Sequence, residues 1–241
     1  MQKLLMTGNR AVAEGVKLSK VNVVAAYPIT PQTPIVENLS QLIANGVLKA
    51  QMVHVESEHS AMSACIGASL VGARVFTASS SQGLALMNEC LFAASGLRLP
   101  IVMAVVNRAL SQPPSIYCDH QDSLAVRDSG WIQFYVETCQ EALDTILIAY
   151  RVAENERVLL PAMVCLDGFY LSHLSEPIDV PDEDTVNNYL PTFTPKYPIL
   201  DVNDPKTIGT VPSPQHYTEF KYDMHRSMAA SYDVINNAFK E

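Results

Sequence analysis

The sequence is short of charge and of aromatic rings, and it has no pair of cysteines close enough to clasp a metal. Of its 241 residues 17% are charged and 7% aromatic, with a net charge of −9. An acidic balance excludes nucleic acid as the main partner, because phosphate backbones repel it. No run approaches the ~18 consecutive apolar residues that a spanning helix needs, which excludes a membrane protein. The opening MQKLLMTGNR turns polar after a short apolar patch, unlike a secretory leader. The five cysteines (Cys65, Cys90, Cys118, Cys139, Cys165) are odd in number and widely spaced, with no Cys-x-x-Cys. That excludes a disulfide framework, a zinc ribbon and a locally bound iron–sulfur cluster. Most read as buried thiols; Cys118, set among polar loop residues, is the exception. The six histidines show no ligand spacing, so no metal is assigned to this chain alone. Neither the Gly-x-x-x-x-Gly-Lys nor the Gly-x-Gly-x-x-Gly pattern occurs, which disfavours nucleotide binding of those types.

What is present is apolar: 48% of residues are hydrophobic. A chain of this size buries on the order of 70% of its unfolded surface, so disorder is excluded. The expectation is a globular, cytoplasmic chain. Short apolar runs at residues 21–26, 51–55, 74–77, 100–106, 133–136 and 162–166 alternate with helical patterns at 10–20, 34–45, 60–71, 84–95 and 140–155. Some runs are apolar almost throughout, as strands covered on both faces are. The alternation predicts an α/β fold: an open, mostly parallel sheet with helices on both faces.

Composition shifts after Pro161, and nine of the fifteen prolines lie between Pro161 and Pro214. This predicts a mostly extended, irregular stretch, of a length that often wraps another surface. Beyond it, Phe220, Met224, Met228, Tyr232, Ile235 and Phe239 make one apolar stripe on a helix of about 20 residues. The stripe suits packing on its own domain and a subunit contact equally. We divide the chain into an α/β domain over 1–175 and a proline-rich segment with terminal amphipathic helix over 176–241.

In such sheets ligands bind beyond the carboxyl ends of the strands. After the first run comes YPITPQTP, a proline-stiffened loop that fixes a phenol and two hydroxyls. Thr33 reads as a helix cap with Pro34 in the first turn, which leaves Tyr27 and Thr30 unexplained. After the second comes ESEHS and an almost uncharged, small-residue helix. Glu58 there suits either the positive end of that helix or a desolvated carboxyl that shares a proton. After the third comes TASSSQG, a hydroxyl run with the composition of a polar-ligand cradle. After the fourth comes NRALSQPPSIYCDHQD, where Arg108 suits either an ion pair with Asp119 or Asp122 or a forked grip on a carboxylate.

These four motifs, in this order and spacing, resemble the α subunit of pyruvate:ferredoxin oxidoreductases, within the 2-oxoacid:ferredoxin oxidoreductase family. The resemblance covers about residues 5–170. It implies a thiamine diphosphate fold in which this chain is the pyrimidine-binding domain. The diphosphate-binding half with its Mg²⁺, and a [4Fe–4S] cluster, would come from a β subunit, with γ and δ subunits and ferredoxin as further partners. Residue by residue, Glu58 matches the family glutamate that hydrogen-bonds the cofactor's aminopyrimidine ring. Thr30 matches the threonine beside the substrate, and Arg108 the arginine that binds its carboxylate. Tyr27, Ile29 and Gln82 match positions near the cofactor. The S-x-P-P-S-I-x-x-D-H-Q-D loop resembles the pyruvate branch. The implied reaction is oxidative decarboxylation of pyruvate with CoA to acetyl-CoA and CO₂, or the reverse, in anaerobic metabolism and only with partner subunits. Another small 2-oxoacid such as oxalate or 2-oxobutyrate is the nearest alternative. A non-catalytic assembly or regulatory relative would need none of Glu58, Thr30 and Arg108. Family α chains commonly continue into a second α/β domain, which this sequence does not include.

Overall fold

The computed structural model describes residues 2–241. The chain begins with β1 (Gln2–Thr7), α1 (Gly8–Leu18), β2 (Val23–Ala26), α2 (Thr33–Ala44), β3 (Gln51–His54) and α3 (Glu58–Leu70). It continues through β4 (Val75–Ser79), α4 (Ser81–Leu86), α5 (Asn88–Gly96), β5 (Val102–Asn107), α6 (Gln121–Ala125), β6 (Ile132–Val136) and α7 (Cys139–Ala153). It closes with β7 (Ala162–Asp167), α8 (Tyr170–His173), β8 (Ser175–Val180), α9 (Glu183–Tyr189) and α10 (Pro214–Ala238).

Six strands form a wholly parallel sheet in the order β3-β2-β4-β5-β7-β6. Both faces are covered, which is why β5 is apolar from Val102 to Val106. Val102, Ala104 and Val106 face a core shared with α1, α2 and α7; Met103 and Val105 face one shared with α3, α4 and α5. Successive strand residues point to opposite faces, so a strand buried on both sides cannot alternate with polar residues. On the first face Gly15 lets α1 approach α7 closely: a Cβ there would lie 2.8 Å from the Leu143 carbonyl oxygen.

Three sequence expectations change. The single helix expected over 84–95 is two short helices, α4 and α5, meeting at Met87. The opening apolar patch is a strand, β1, paired antiparallel with β8 from Gln2↔Val180 to Thr7↔Ser175. The terminal helix docks on its own domain through Ser227, Ser231, Val234 and Ala238, with only Met224, Met228 and Ile235 of the apolar stripe turned partly inward. Arg98 explains the choice: its guanidinium donates to Ser227 Oγ at 2.5 Å and to Asp223 Oδ2 at 2.6 Å. Small serines admit that close approach, so the helix turns and leaves Phe220, Tyr232 and Phe239 exposed.

The division at 175/176 follows composition, and packing runs across it. Ile178, Val180, Val186 and Leu190 belong to the first core, and β8 completes the ribbon with β1. The proline-rich stretch includes β8 and α9 before its irregular part, residues 190–213. That part lies on its own domain. Leu200 N–H donates to the Leu70 carbonyl at 2.8 Å, and the Tyr197 hydroxyl to that of Ser69 at 2.8 Å.

Candidate active site

The order of strands reverses between β2 and β4, so the loops that follow them diverge and leave a crevice at the sheet's carboxyl edge. The candidate residues converge there. Gln32, fully buried, donates from its side-chain amide to the Tyr27 carbonyl at 3.1 Å and to the Ala78 carbonyl at 2.7 Å. Asn9 on α1 donates to the Pro31 carbonyl at 3.0 Å. These two buried amides hold the Tyr27–Ile29–Thr30 loop against β4. Gln32 also occupies the helix cap without a side-chain capping bond, and Thr33 is the first residue of α2. The capping role expected of Thr33 is therefore not taken up, because the loop uses the helix start as its anchor.

Arg108, directly after β5, reaches back across the crevice. Its Nη1 donates to the Thr30 carbonyl at 2.7 Å and its Nη2 to Gln82 Oε1 at 2.7 Å. Both acceptors are neutral. Among the described residues no carboxylate pairs with this guanidinium, and its buried Nε has no partner. The ion pair with Asp119 or Asp122 offered as the structural reading does not form. Asp122 accepts instead from the backbone N–H of Arg108 at 3.1 Å and of Ser81 at 2.9 Å, and from Asn107 Nδ2 at 2.8 Å. Asp122 is buried and ties the ends of β4 and β5 together. Sequence reasoning named it only as a partner for Arg108, because an aspartate that accepts backbone N–H groups has no spacing signature.

Glu58 opens α3, behind the cap Ser57, whose side chain accepts from Ser60 N–H at 3.2 Å. The residue is 6% exposed, and its carboxyl makes no hydrogen bond or ion pair among the described residues. It lies over Gly83, where an added Cβ would stand 2.4 Å from Glu58 Oε1 and 2.6 Å from Ser79 Oγ. Gly83 adjoins Gln82, so Glu58 closes on the same group of residues. The Ser79 and Ser80 hydroxyls are buried without partners, while Ser81 Oγ is taken by Ala109 O at 2.6 Å and Gln82 Oε1 at 2.5 Å. Sequence reading gave Gly83 no role beyond ending the hydroxyl run. Tyr27, Pro28 and Thr33 line an open groove of about 780 Å³ with Val36, His54 and Val55. The crevice thus holds a buried carboxyl without a partner, an uncompensated guanidinium and orphaned hydroxyls. Buried polar groups are normally satisfied, and such a concentration of exceptions marks a place for a polar ligand.

Comparison with known proteins agrees with this geometry. Residues 14–240 match the family model described as pyruvate flavodoxin/ferredoxin oxidoreductase, thiamine diphosphate-binding. The chain is 55% identical to "Pyruvate synthase subunit PorA" of Methanothermobacter thermautotrophicus, over 98% of this chain and 62% of that protein. It is 48% identical to "Ketoisovalerate oxidoreductase subunit VorA" of Pyrococcus abyssi, over 99% of this chain and 60% of that one. The chain thus spans about three fifths of the length of these relatives. Among solved structures, a 2-oxoglutarate:ferredoxin oxidoreductase from Magnetococcus marinus superposes with a TM-score of 0.81 at 21% identity, over 96% of this chain and 45% of that one. A thiamine diphosphate-dependent 4-hydroxybenzoylformate decarboxylase from Rhodococcus jostii RHA1 gives 0.57 at 15% identity, over 75% of this chain and 33% of that one.

Proposed function

The chain belongs to the pyruvate flavodoxin/ferredoxin oxidoreductase family of thiamine diphosphate-binding proteins, and from that premise we propose that it supplies the pyrimidine half of a divided 2-oxoacid oxidoreductase site acting on pyruvate. The observation that carries the reading is Glu58: a buried carboxyl without a partner, facing a cradle that a single Cβ at Gly83 would fill. An aminopyrimidine ring offers the hydrogen-bonding edge that such a carboxyl lacks. When bound, the cofactor supplies the carbanion chemistry of decarboxylation, and the protein supplies placement and proton handling. Glu58 holds or releases the proton at the ring edge, and the missing side chain at Gly83 leaves the space in which its carboxyl stands.

Arg108 supplies the charge for the substrate's carboxylate. Thr30 and Gln82 hold the guanidinium with neutral oxygens, so its charge stays available for a forked pair of bonds. Fixing the carboxylate orients the keto carbon toward the reacting centre. Asp122 keeps the Arg108 backbone in register with the β4 loop. Thr30 lies at the exposed rim beside the substrate, and Tyr27 and Ile29 form the wall of the cofactor side.

The remaining half of the site belongs to partner subunits in this reading: a β chain with the diphosphate, Mg²⁺ and a [4Fe–4S] cluster, then γ and δ chains, CoA and ferredoxin, in the cytoplasm. The exposed small residues Ser63 and Gly67 on α3 suit close packing against such a partner. The ketoisovalerate name among the relatives makes a branched acid the second candidate substrate. The test is anaerobic dye reduction by the native complex with CoA and pyruvate, 2-oxoglutarate, oxalate or 2-oxoisovalerate. Reduction with pyruvate far above the others supports the reading. Preference for another acid overturns the substrate, and no reduction with any of them overturns the oxidoreductase.

A further inference from the structure

We propose that Cys118, His120 and Asp167 form a binding site for a divalent cation of the zinc class, clamping the loop after β5 to the carboxyl end of β7. Among the described residues this is the one group of three Cys, His, Asp or Glu side chains whose ligand atoms all lie within 4.8 Å of one another. Asp167 ends β7 and stands 47 positions from His120, so no sequence spacing betrays the group. His120 Nε2 lies 2.7 Å from Asp167 Oδ1, and the Cys118 sulfur lies within 4.8 Å of both side chains' ligand atoms. One carboxylate therefore gathers an imidazole and a thiol. That is the arrangement three ligands adopt around a position a cation could take.

Geometry and charge both fit. Tetrahedral zinc with sulfur at ~2.3 Å and nitrogen or oxygen at ~2.0–2.2 Å sets donor atoms roughly 3.3–3.6 Å apart. The imidazole–carboxylate contact needs to open by about 0.6 Å, and the widest separation to close by about 1 Å. Side-chain rotations cover both. A thiolate, a carboxylate and a neutral imidazole neutralise a divalent cation. Binding releases the thiol proton to solvent and leaves the imidazole proton on Nδ1. Thiolate with imidazole selects zinc-like ions over Mg²⁺ or Ca²⁺. Without a cation, burial and the adjacent Asp167 push the Cys118 thiol up to about 12, so the thiol keeps its proton beside the carboxylate.

The surroundings steady the ligands and leave room for a fourth. The His120 ring packs on Tyr135 with centroids 5.2 Å apart, and Tyr117 with Phe169, 5.7 Å apart, adds an aromatic pair from the same two loops. His120 and Asp167 are 44% and 40% exposed, so water or an external ligand can complete the coordination. The site does not depend on the reaction proposed above, since it uses none of Glu58, Thr30, Arg108 or Gln82.

The test uses the purified enzyme that contains the full-length chain. After chelation, zinc is titrated back, counted by equilibrium dialysis, and its K-edge absorption spectrum recorded on the same sample. The expected result is one zinc per chain that the Cys118→Ser and Asp167→Asn enzymes lack, with a shell holding a single sulfur at about 2.3 Å. Equal zinc uptake by the variants overturns the site. So does a shell of nitrogen and oxygen alone, or one of three or four sulfurs, and those spectra come from the unsubstituted enzyme and need no variant to fold.

Discussion

Gly83→Ala separates catalysis from stability. The added methyl would stand 2.4 Å from Glu58 Oε1, where ordinary contact begins at 3.4 Å, so the carboxyl must retreat by about 1 Å. Alanine suits a helix better than glycine by ~1 kcal/mol. The obstacles are two side-chain ends, Glu58 Oε1 and, at 2.6 Å, Ser79 Oγ, neither with a hydrogen bond to lose, and overpacking of this kind costs ~1–3 kcal/mol. The net loss is about 0–2 kcal/mol, and melting should fall by only a few degrees. Turnover should not survive as well, because a 1 Å misplacement of a reacting group costs on the order of 10²-fold. The assay is dye reduction by the reconstituted complex at saturating 2-oxoacid and CoA, with a thermal melt on the same preparation. A variant whose kcat stays within about twofold of the parent would refute the claim that Glu58 must stand where it does.

Arg108→Ala should raise KM far more than it lowers kcat, by about 2–4 kcal/mol of lost charge-assisted bonding, read from initial rates against substrate concentration. Asp122→Asn keeps the shape of the side chain but turns one acceptor into a donor. Each Asp122 oxygen accepts two N–H groups, so either orientation leaves two buried donors unmatched. Urea unfolding should show a loss of about 2–4 kcal/mol, and an unchanged midpoint would contradict the anchoring role. Burial pushes the Cys65 thiol up from 9.0 to about 12 and raises that of Cys165 as well. Above pH 9 the unfolded chain ionises these thiols while the folded chain does not, so the unfolded chain binds fewer protons. Stability should fall as pH rises from 9 toward 12, by about 1.4 kcal/mol per pH unit for each thiol. Urea midpoints compared at pH 8 and pH 10.5 check this, and a flat profile would count against it.

The parts of the fold legible in the sequence are those whose physics is local. β5 and β7 read as strands because both faces of the sheet are covered, and α7 because fifteen residues carry a helical apolar period. β1 was not legible, because its partner β8 lies more than 160 residues away and the ribbon exists only once the domain has closed. The start of α4 at Ser81, ahead of the helix expected from residue 84, was hidden for a similar reason. Ser81 adopts φ 45° because its N–H and hydroxyl are held by Asp122 and Ala109, neither of them a near neighbour. At the site, Thr30 and Arg108 come from two loops and Gln82 from the first turn of α4, and the residues alone left Arg108 open between an ion pair and a carboxylate grip. The family resemblance linked them, and the structure brings them within hydrogen-bonding distance. Asp122 and Gly83 escaped notice as site residues because one works through backbone N–H groups and the other through the absence of a side chain.

The account turns on Glu58 serving the cofactor, and the most direct measurement is the exchange rate of the enzyme-bound thiamine diphosphate's thiazolium C2 proton. Native complex and Glu58→Gln complex, both loaded with cofactor, are mixed with deuterium oxide, quenched in acid and read by proton NMR. General acid–base assistance is worth ~10²–10⁴-fold, so exchange should slow by at least 10²-fold in the variant while bound cofactor stays the same. Equal exchange rates in the two complexes would contradict the role of Glu58.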